Sequence, residues 1–337
     1  MNSNLKKRNS LTGYIKNNRG NFFMLGILVY QIAVVFVFAL MFRLFPGSPV
    51  FQKTWVLLAL SQLLVSALPF IFVVIIRKAS KKQIRLNLPA PIGGVNFALL
   101  LAISVCAYPV TIFISYVTML ITPNTIADLL TGIGTQSSLP AVIFSVALLP
   151  AVFEELLFRG YLFAQYDSVS LKKAVILNGL FFGMYHLNLQ QLPYAVFLGA
   201  LLALVVYYSR SLIASMLVHF LLNSVSALVS YAAGTTAVQS ASAGAEDIEF
   251  FSSGTFIVLA GLAAVATTGL ILFLRVFIKY NRKRSARRAT HTAENLEQAN
   301  AANISVERAV RPFGISFWII VIVYCAYMFL SGMVSLT

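Results

Sequence analysis

Charge is what this sequence has least of. Only 10% of its 337 residues are Asp, Glu, Lys or Arg, where soluble proteins carry about 25%. Acids are scarcest, ten against 25 Lys and Arg. Together with a 59% hydrophobic content, this excludes an ordinary water-soluble domain. Cysteine is also rare. Cys106 and Cys325 each fall inside an apolar run, which argues against a disulfide framework or a cysteine-based metal cluster; they read as small buried hydrophobes. No HExxH pairing occurs, and no internal repeat is visible, so the inverted-repeat logic of many transporters has no support here. The net charge of +15 does not point to nucleic acid either. Its basic residues sit in short clusters between apolar runs, not in a patch interleaved with exposed aromatics.

What the chain does have is apolar length. A membrane span needs about 20 mostly apolar residues. Nine segments qualify or nearly so, roughly 22–44, 55–76, 95–121, 138–163, 172–187, 192–208, 211–231, 254–277 and 313–335. The first follows a basic N-terminal stretch, as a signal peptide would. The run from Phe22 to Phe42 nevertheless exceeds the roughly 7–15 residues of a signal-peptide core, so it reads as an uncleaved span. The fifth and sixth segments are short, and Pro193 suits the first turn of the sixth helix. Basic residues concentrate in alternate loops: Arg77 and Lys78, Lys172 and Lys173, Arg210, and the run after residue 277. Loop 122–137 has none, and loop 232–253 carries Glu246, Asp247 and Glu249. Only Arg43 and Lys53 run against the pattern. Lys and Arg favour the cytoplasmic side. The expectation is nine crossings with a cytoplasmic N-terminus and an external C-terminus, in a cell (plasma) membrane. Eight crossings, with segments five and six as partial helices, also fit.

The fold class that follows is all-α, a polytopic membrane protein of about eight or nine transmembrane helices around a membrane-embedded polar cavity. Three parts are expected: N-terminal helices over 1–121, a four-helix core over 138–231, and C-terminal helices over 254–337. The polar linker 279–311 in the last part begins with a basic run suited to anionic headgroups. Its later portion reads as a short cytoplasmic helix or a disordered loop.

Against this background, a few charges are out of place. Glu154, Glu155 and Arg159 lie inside the fourth segment, His186 inside the fifth and His219 inside the seventh. Ionisable residues within a span are costly, and by default they mark a functional site. Glu155 and Arg159 are four apart and share a helical face, where pairing offsets the cost of burial. Glu154 is turned about 100° from Glu155, free to face a cavity. His219 and Asn223 are again four apart. Gly183, three residues before His186, permits a close helix approach. A rise of 1.5 Å per residue puts Glu154 about 14 Å, His186 about 21 Å, His219 about 12 Å and Asn223 about 18 Å from the inner helix ends. One polar site halfway through the bilayer accommodates all four.

These residues carry a resemblance. "EELLFR" fits an EExxxR motif, "FGMYH" at 182–186 fits FxxxH, and "HFLLN" fits HxxxN. In that order, within a polytopic chain, they resemble the CPBP intramembrane proteases, which include the type II CAAX prenyl endopeptidases and bacteriocin-immunity relatives. The resemblance spans about residues 138–231. It implies a helical fold around a conical, water-filled cavity open to the cytosol. It implies that Glu154 and His186 activate a water for peptide-bond attack, that His219 and Asn223 stabilise the oxyanion, and that Glu155 and Arg159 support the site. The implied partners are a peptide or protein substrate at the inner leaflet and the membrane lipids, with no nucleic acid.

Family members are often labelled metalloproteases, and two histidines with a glutamate form a zinc-compatible set, here Glu154, His186 and His219. If all three bound metal, a separate base would be missing unless Glu155 served. The glutamate-activated water needs no metal, and a cofactor-free site is the favoured reading. The same residues also fit two other functions: a proton-coupled transporter, with Glu154 and the histidines as a relay, and a non-catalytic scaffold or self-immunity protein.

Overall fold

The computed structural model describes residues 14, 18–48, 53–79, 86–87, 89–122, 137–241, 253–296 and 312–334. Among these, all regular structure is helical. Helix α1 is Arg19–Leu44. Helix α2 runs through Thr54–Gln62, Leu63–Ala67 and Leu68–Ala79. Helix α3 is Gly94–Met119, and α4 spans Leu139–Tyr166. There follow α5 (Leu171–Tyr185), α6 (Leu192–Ser209), α7 (Leu212–Ala241), α8 (Ser253–Leu296) and α9 (Ile315–Val334). Eight of these are long and apolar enough to cross a membrane. They are apolar around most of their circumference, as helices immersed in lipid are.

The exception is α5. Its 15 residues reach about 22 Å, short of a hydrocarbon layer of about 30 Å. The fifth segment is therefore the partial one, while the sixth forms a full 18-residue helix. What ends α5 is Leu187, held in the left-handed region at φ 49°. That conformation is costly for a leucine, and it stops the helix just past His186. Helix α8 departs the other way. The expected linker at 279–296 continues the span as helix, giving 44 residues in all, while 297–311 lies outside the described residues. So do Glu246, Asp247 and Glu249, most of loop 122–137, and Lys81, Lys82 and Arg85.

Helix α5 packs along α6, α7 along α4, α8 along α3, and α9 along α1. The α5–α6 contact depends on missing side chains. A Cβ on Gly183 would lie 2.9 Å from the Leu192 carbonyl oxygen, and one on Gly199 would lie 2.8 Å from the Cβ of Phe182. Small residues let membrane helices approach this closely. The outer helices use paired amides. Asn96 and Asn281 donate to each other at 3.0 and 2.9 Å, joining α3 to α8. The expectation of two buried cysteines needs correction. Cys106 is half-buried and Cys325 is exposed. In a membrane protein an apolar run does not imply an interior position, because the lipid-facing surface is apolar too.

Three stretches widen from α-helical into π-helical turns: Leu63–Ala67 in α2, and Ile143–Leu148 and Leu156–Leu162 in α4. The first two end two residues before Pro69 and Pro150, which have no N–H to return to the preceding turn. In lipid, a freed carbonyl must find a donor within the protein. The Tyr30 hydroxyl donates to the Leu64 carbonyl at 3.1 Å. The Asn223 amide donates to the Val146 carbonyl at 3.2 Å, whose α-helical partner would have been the N–H that Pro150 lacks. In the third turn, Asn87 donates from its side chain to the Arg159 carbonyl and from its backbone to the Gly160 carbonyl, both at 2.8 Å.

Candidate active site

Helix α4 carries Glu154 at the end of a regular segment and Arg159 within the next π-turn. Arg159 Nη1 donates to Glu155 Oε1 at 2.7 Å with both side chains wholly buried. This is the one-turn clamp expected from the i,i+4 spacing. Arg159 Nη2 donates to the Gly199 carbonyl at 3.0 Å, and its guanidinium lies 4.3 Å over the Phe182 ring. A desolvated cation over an aromatic face gains on the order of 2 kcal/mol. Clamp, glycine contact and FxxxH phenylalanine thus form one unit tying α4 to the α5–α6 pair.

The second glutamate is arranged differently. Glu154 Oε1 accepts from Gln62 Nε2 at 3.0 Å, while Glu154 Oε2 is buried without a hydrogen-bond partner. The two carboxylates do diverge, but they do not serve separate surfaces as helical phase alone suggested. One imidazole reaches both. His219 Nδ1 lies 3.0 Å from Glu155 Oε1, and His219 Nε2 lies 3.9 Å from Glu154 Oε2. An imidazole presents its two nitrogens on opposite sides of the ring, so a residue on α7 can bridge positions 100° apart on α4.

These contacts assign protons. A carboxylate only accepts, so with Glu155 ionised beside Arg159, His219 Nδ1 carries its hydrogen. His219 can then offer an Nε2–H toward a substrate only as the imidazolium. His186 is fixed in the same way. Its Nδ1 lies 2.7 Å from the Phe182 carbonyl, an acceptor left open because the His186 backbone N–H bonds Gly183 instead, at 3.2 Å. Nδ1 therefore holds the hydrogen, and Nε2 of the neutral ring keeps its lone pair. The Phe182 ring meets both histidines edge-on, at 4.9 Å for His186 and 5.8 Å for His219.

The sequence motifs thus converge: Arg159, His186 and His219 surround Phe182, both glutamates reach His219, and Asn223 sits one turn beyond His219 on α7. Asn223 commits one of its two amide hydrogens to Val146. The contribution from α2 was not foreseen. Gln62 lies outside all three motifs, and its only signal was a Gln and a Ser four apart, Gln62 and Ser66, in an otherwise apolar span. Among the described residues, no three His, Cys, Asp or Glu side chains converge as a metal-ligand set. The donors present do not fit the three-ligand zinc pattern, and no chemical step below passes through a metal.

Comparison with known proteins agrees in position with the motifs. No curated protein and no solved structure matches the chain. Residues 136–225 match a family model, described as Type II CAAX prenyl endopeptidase Rce1-like. The matched segment runs from just before α4 to Val225 on α7 and contains every motif residue, but not α1, α2, α3, α8 or α9. Over residues 136–225, the chain is thus similar to the Rce1-like family of type II CAAX prenyl endopeptidases.

Proposed function

We propose that this protein is an intramembrane endopeptidase that cleaves a peptide bond of a membrane-associated substrate with a water activated by Glu154 and His186. The observation that carries this reading is the unequal commitment of the two glutamates. Glu155 Oε1 is paired with Arg159 and His219, whereas Glu154 Oε1 meets only the neutral Gln62 amide; each glutamate keeps a buried Oε2 without a partner, and that of Glu154 faces His219 Nε2. An unpaired buried acceptor is expensive and has a purpose if water or substrate visits it. The 3.9 Å gap from Glu154 Oε2 to His219 Nε2 is too long for a hydrogen bond. A water at hydrogen-bond distance from both would subtend about 90°.

Glu154 Oε2 takes one proton as the water oxygen attacks the carbonyl carbon, while the lone pair of His186 Nε2 accepts a hydrogen bond from the water's other hydrogen. The oxyanion is met by the second Asn223 N–H and by an Nε2–H of His219, whose ring is oriented through Nδ1 by Glu155. Donors fixed in a dry site are among the largest catalytic terms. The proton held by Glu154 then passes to the leaving amine as the C–N bond breaks, regenerating the carboxylate. No metal is required by this scheme.

The substrate is proposed to be a peptide or protein C-terminus at the inner leaflet of the plasma membrane, with the N-terminus of this protein cytoplasmic. Arg210 and Arg282 stack over the adjacent rings of Tyr207 and Tyr208, at 5.1 and 5.5 Å. The basic segments after α6 and late in α8 therefore lie at the same end of the bundle, as the positive-inside pattern requires. The test compares protein termini in membranes carrying the wild type and Glu154→Ala. New or lost C-termini only with the wild type are expected. Identical termini, or normal turnover by the variant, would overturn the proposal.

A further inference from the structure

The matched segment is not the whole of the site. Gln62 stands on α2, more than 70 residues before the first matched residue, and is the one side chain that hydrogen-bonds Glu154 among the described residues. Its own orientation is held. Ser66 Oγ donates to Gln62 Oε1 at 2.9 Å, one turn along the same helix. Ser66 Oγ also lies 2.5 Å from the Tyr185 hydroxyl. Since the Ser66 hydrogen is already given to Gln62, the Tyr185 O–H must donate to Ser66. The Tyr185 backbone carbonyl in turn accepts from Gln31 Nε2 on α1, at 2.9 Å.

The chain thus has one direction: Tyr185 O–H to Ser66, Ser66 O–H to Gln62 Oε1, and Gln62 N–H to Glu154 Oε1. The carboxylate sets the amide's orientation. Reversed, Gln62 would face its oxygen to Glu154 Oε1, and an ionised carboxylate has no hydrogen to offer it. Ser66 is wholly buried and Tyr185 nearly so, at 0 and 4% exposure. Tyr185 directly precedes His186 in sequence, so the same brace that reaches Glu154 through Gln62 also anchors the end of α5 that presents His186.

We propose that Gln62 is a positioning residue for Glu154: it occupies Oε1, so that Oε2 alone is left to take up and deliver the proton, and Ser66 and Tyr185 hold Gln62 in that role. The two oxygens of a free carboxylate are equivalent. Here a fixed donor makes them different, and the oxygen left open is the one 3.9 Å from His219 Nε2. Positioning of this kind lowers the barrier by removing unproductive geometries before the reaction begins. The kinetic consequence rests on the peptidase reading above; the structural one does not.

Two readouts keep those apart. The first is infrared difference spectroscopy on purified protein in lipid, with the Glu154 carboxyl bands identified by their loss in Glu154→Gln. Gln62→Met, close in size but without a donor, should shift those bands, and Ser66→Ala should shift them less. Unmoved bands in a folded Gln62→Met protein overturn the positioning role, whether or not the protein cleaves anything. The second is steady-state cleavage. Gln62→Met should lower kcat about tenfold, the scale of one hydrogen bond to a charged group, with KM within about twofold. Ser66→Ala should lower kcat a few-fold. An unchanged kcat in Gln62→Met would also overturn the proposal. If Gln62→Met does not fold, Ser66→Ala decides both readouts, because it leaves the Gln62 donor present but unbraced.

Discussion

In α4 the membrane-length stretch is 56% buried inside the protein, whereas in α8 the share is 11%. The central helices face one another, and the peripheral ones face mainly lipid. Polar side chains follow that division. In the centre they form connected networks, Arg159 with Glu155, Gly199 and Phe182, and Glu154 with Gln62, Ser66 and Tyr185. At the α3–α8 contact they form a lone staple, Asn96 with Asn281, while the α1–α9 contact has a small network of its own, Asn21 and Tyr14 on Ser316. A network holds each group by several others and can leave one atom deliberately unpaired; a staple only joins two helices. Helix α2 is the informative exception. It is 17% buried, peripheral by that measure, yet it supplies the donor to Glu154.

The contrast predicts a graded series of effects. Glu154→Gln should break the chemistry while leaving the fold, with loss of cleavage of at least about a thousandfold, within the range for a removed general base; residual activity near wild type would contradict it. Arg159→Ala should break the fold instead. Removing one partner of a buried pair typically costs about 3–5 kcal/mol, visible as a lower detergent melting temperature and poor yield. Gly183→Leu should force α5 and α6 apart, at about 1–3 kcal/mol for overpacking, and displace His186 enough to reduce kcat as well.

The peripheral counterpart should be mild. Asn281→Leu removes the amide pair to Asn96 and should cost about 1 kcal/mol, on the scale of hydrogen bonds between membrane helices, without changing kcat or KM. A large kinetic effect there would erase the distinction between network and staple. The smallest effect is expected from metal removal. Exhaustive chelation should leave cleavage unchanged, and elemental analysis should find no stoichiometric zinc. Activity lost on chelation and restored by zinc would require a ligand set that the described side chains do not form.

Much of this was legible from residue order alone. Apolar length identified the spans, because hydrocarbon thickness translates directly into a residue count. Helical period paired Glu155 with Arg159, because both lie on one continuous helix whose geometry is local. The motif trio singled out six residues for the same reason, each motif containing a local i,i+4 pair. What escaped were relations between helices. Nothing in the spacing of α4 says that His219 lies between Glu154 and Glu155, or that its Nδ1 must hold a hydrogen and so change the form in which it can donate. Nothing in "LSQLLVS" says that its glutamine meets a carboxylate 92 positions away. The shortness of α5 was also hidden, since it follows from Leu187 turning left-handed, a backbone choice imposed by packing. Composition and local period thus determined that this is a helical membrane protein with paired charges inside it. Only the packing of α2, α4, α5 and α7 decided that Gln62 occupies one oxygen of Glu154 and that His219 stands between the two glutamates, because hydrogen bonds across helices depend on rotation and depth that no single helix encodes.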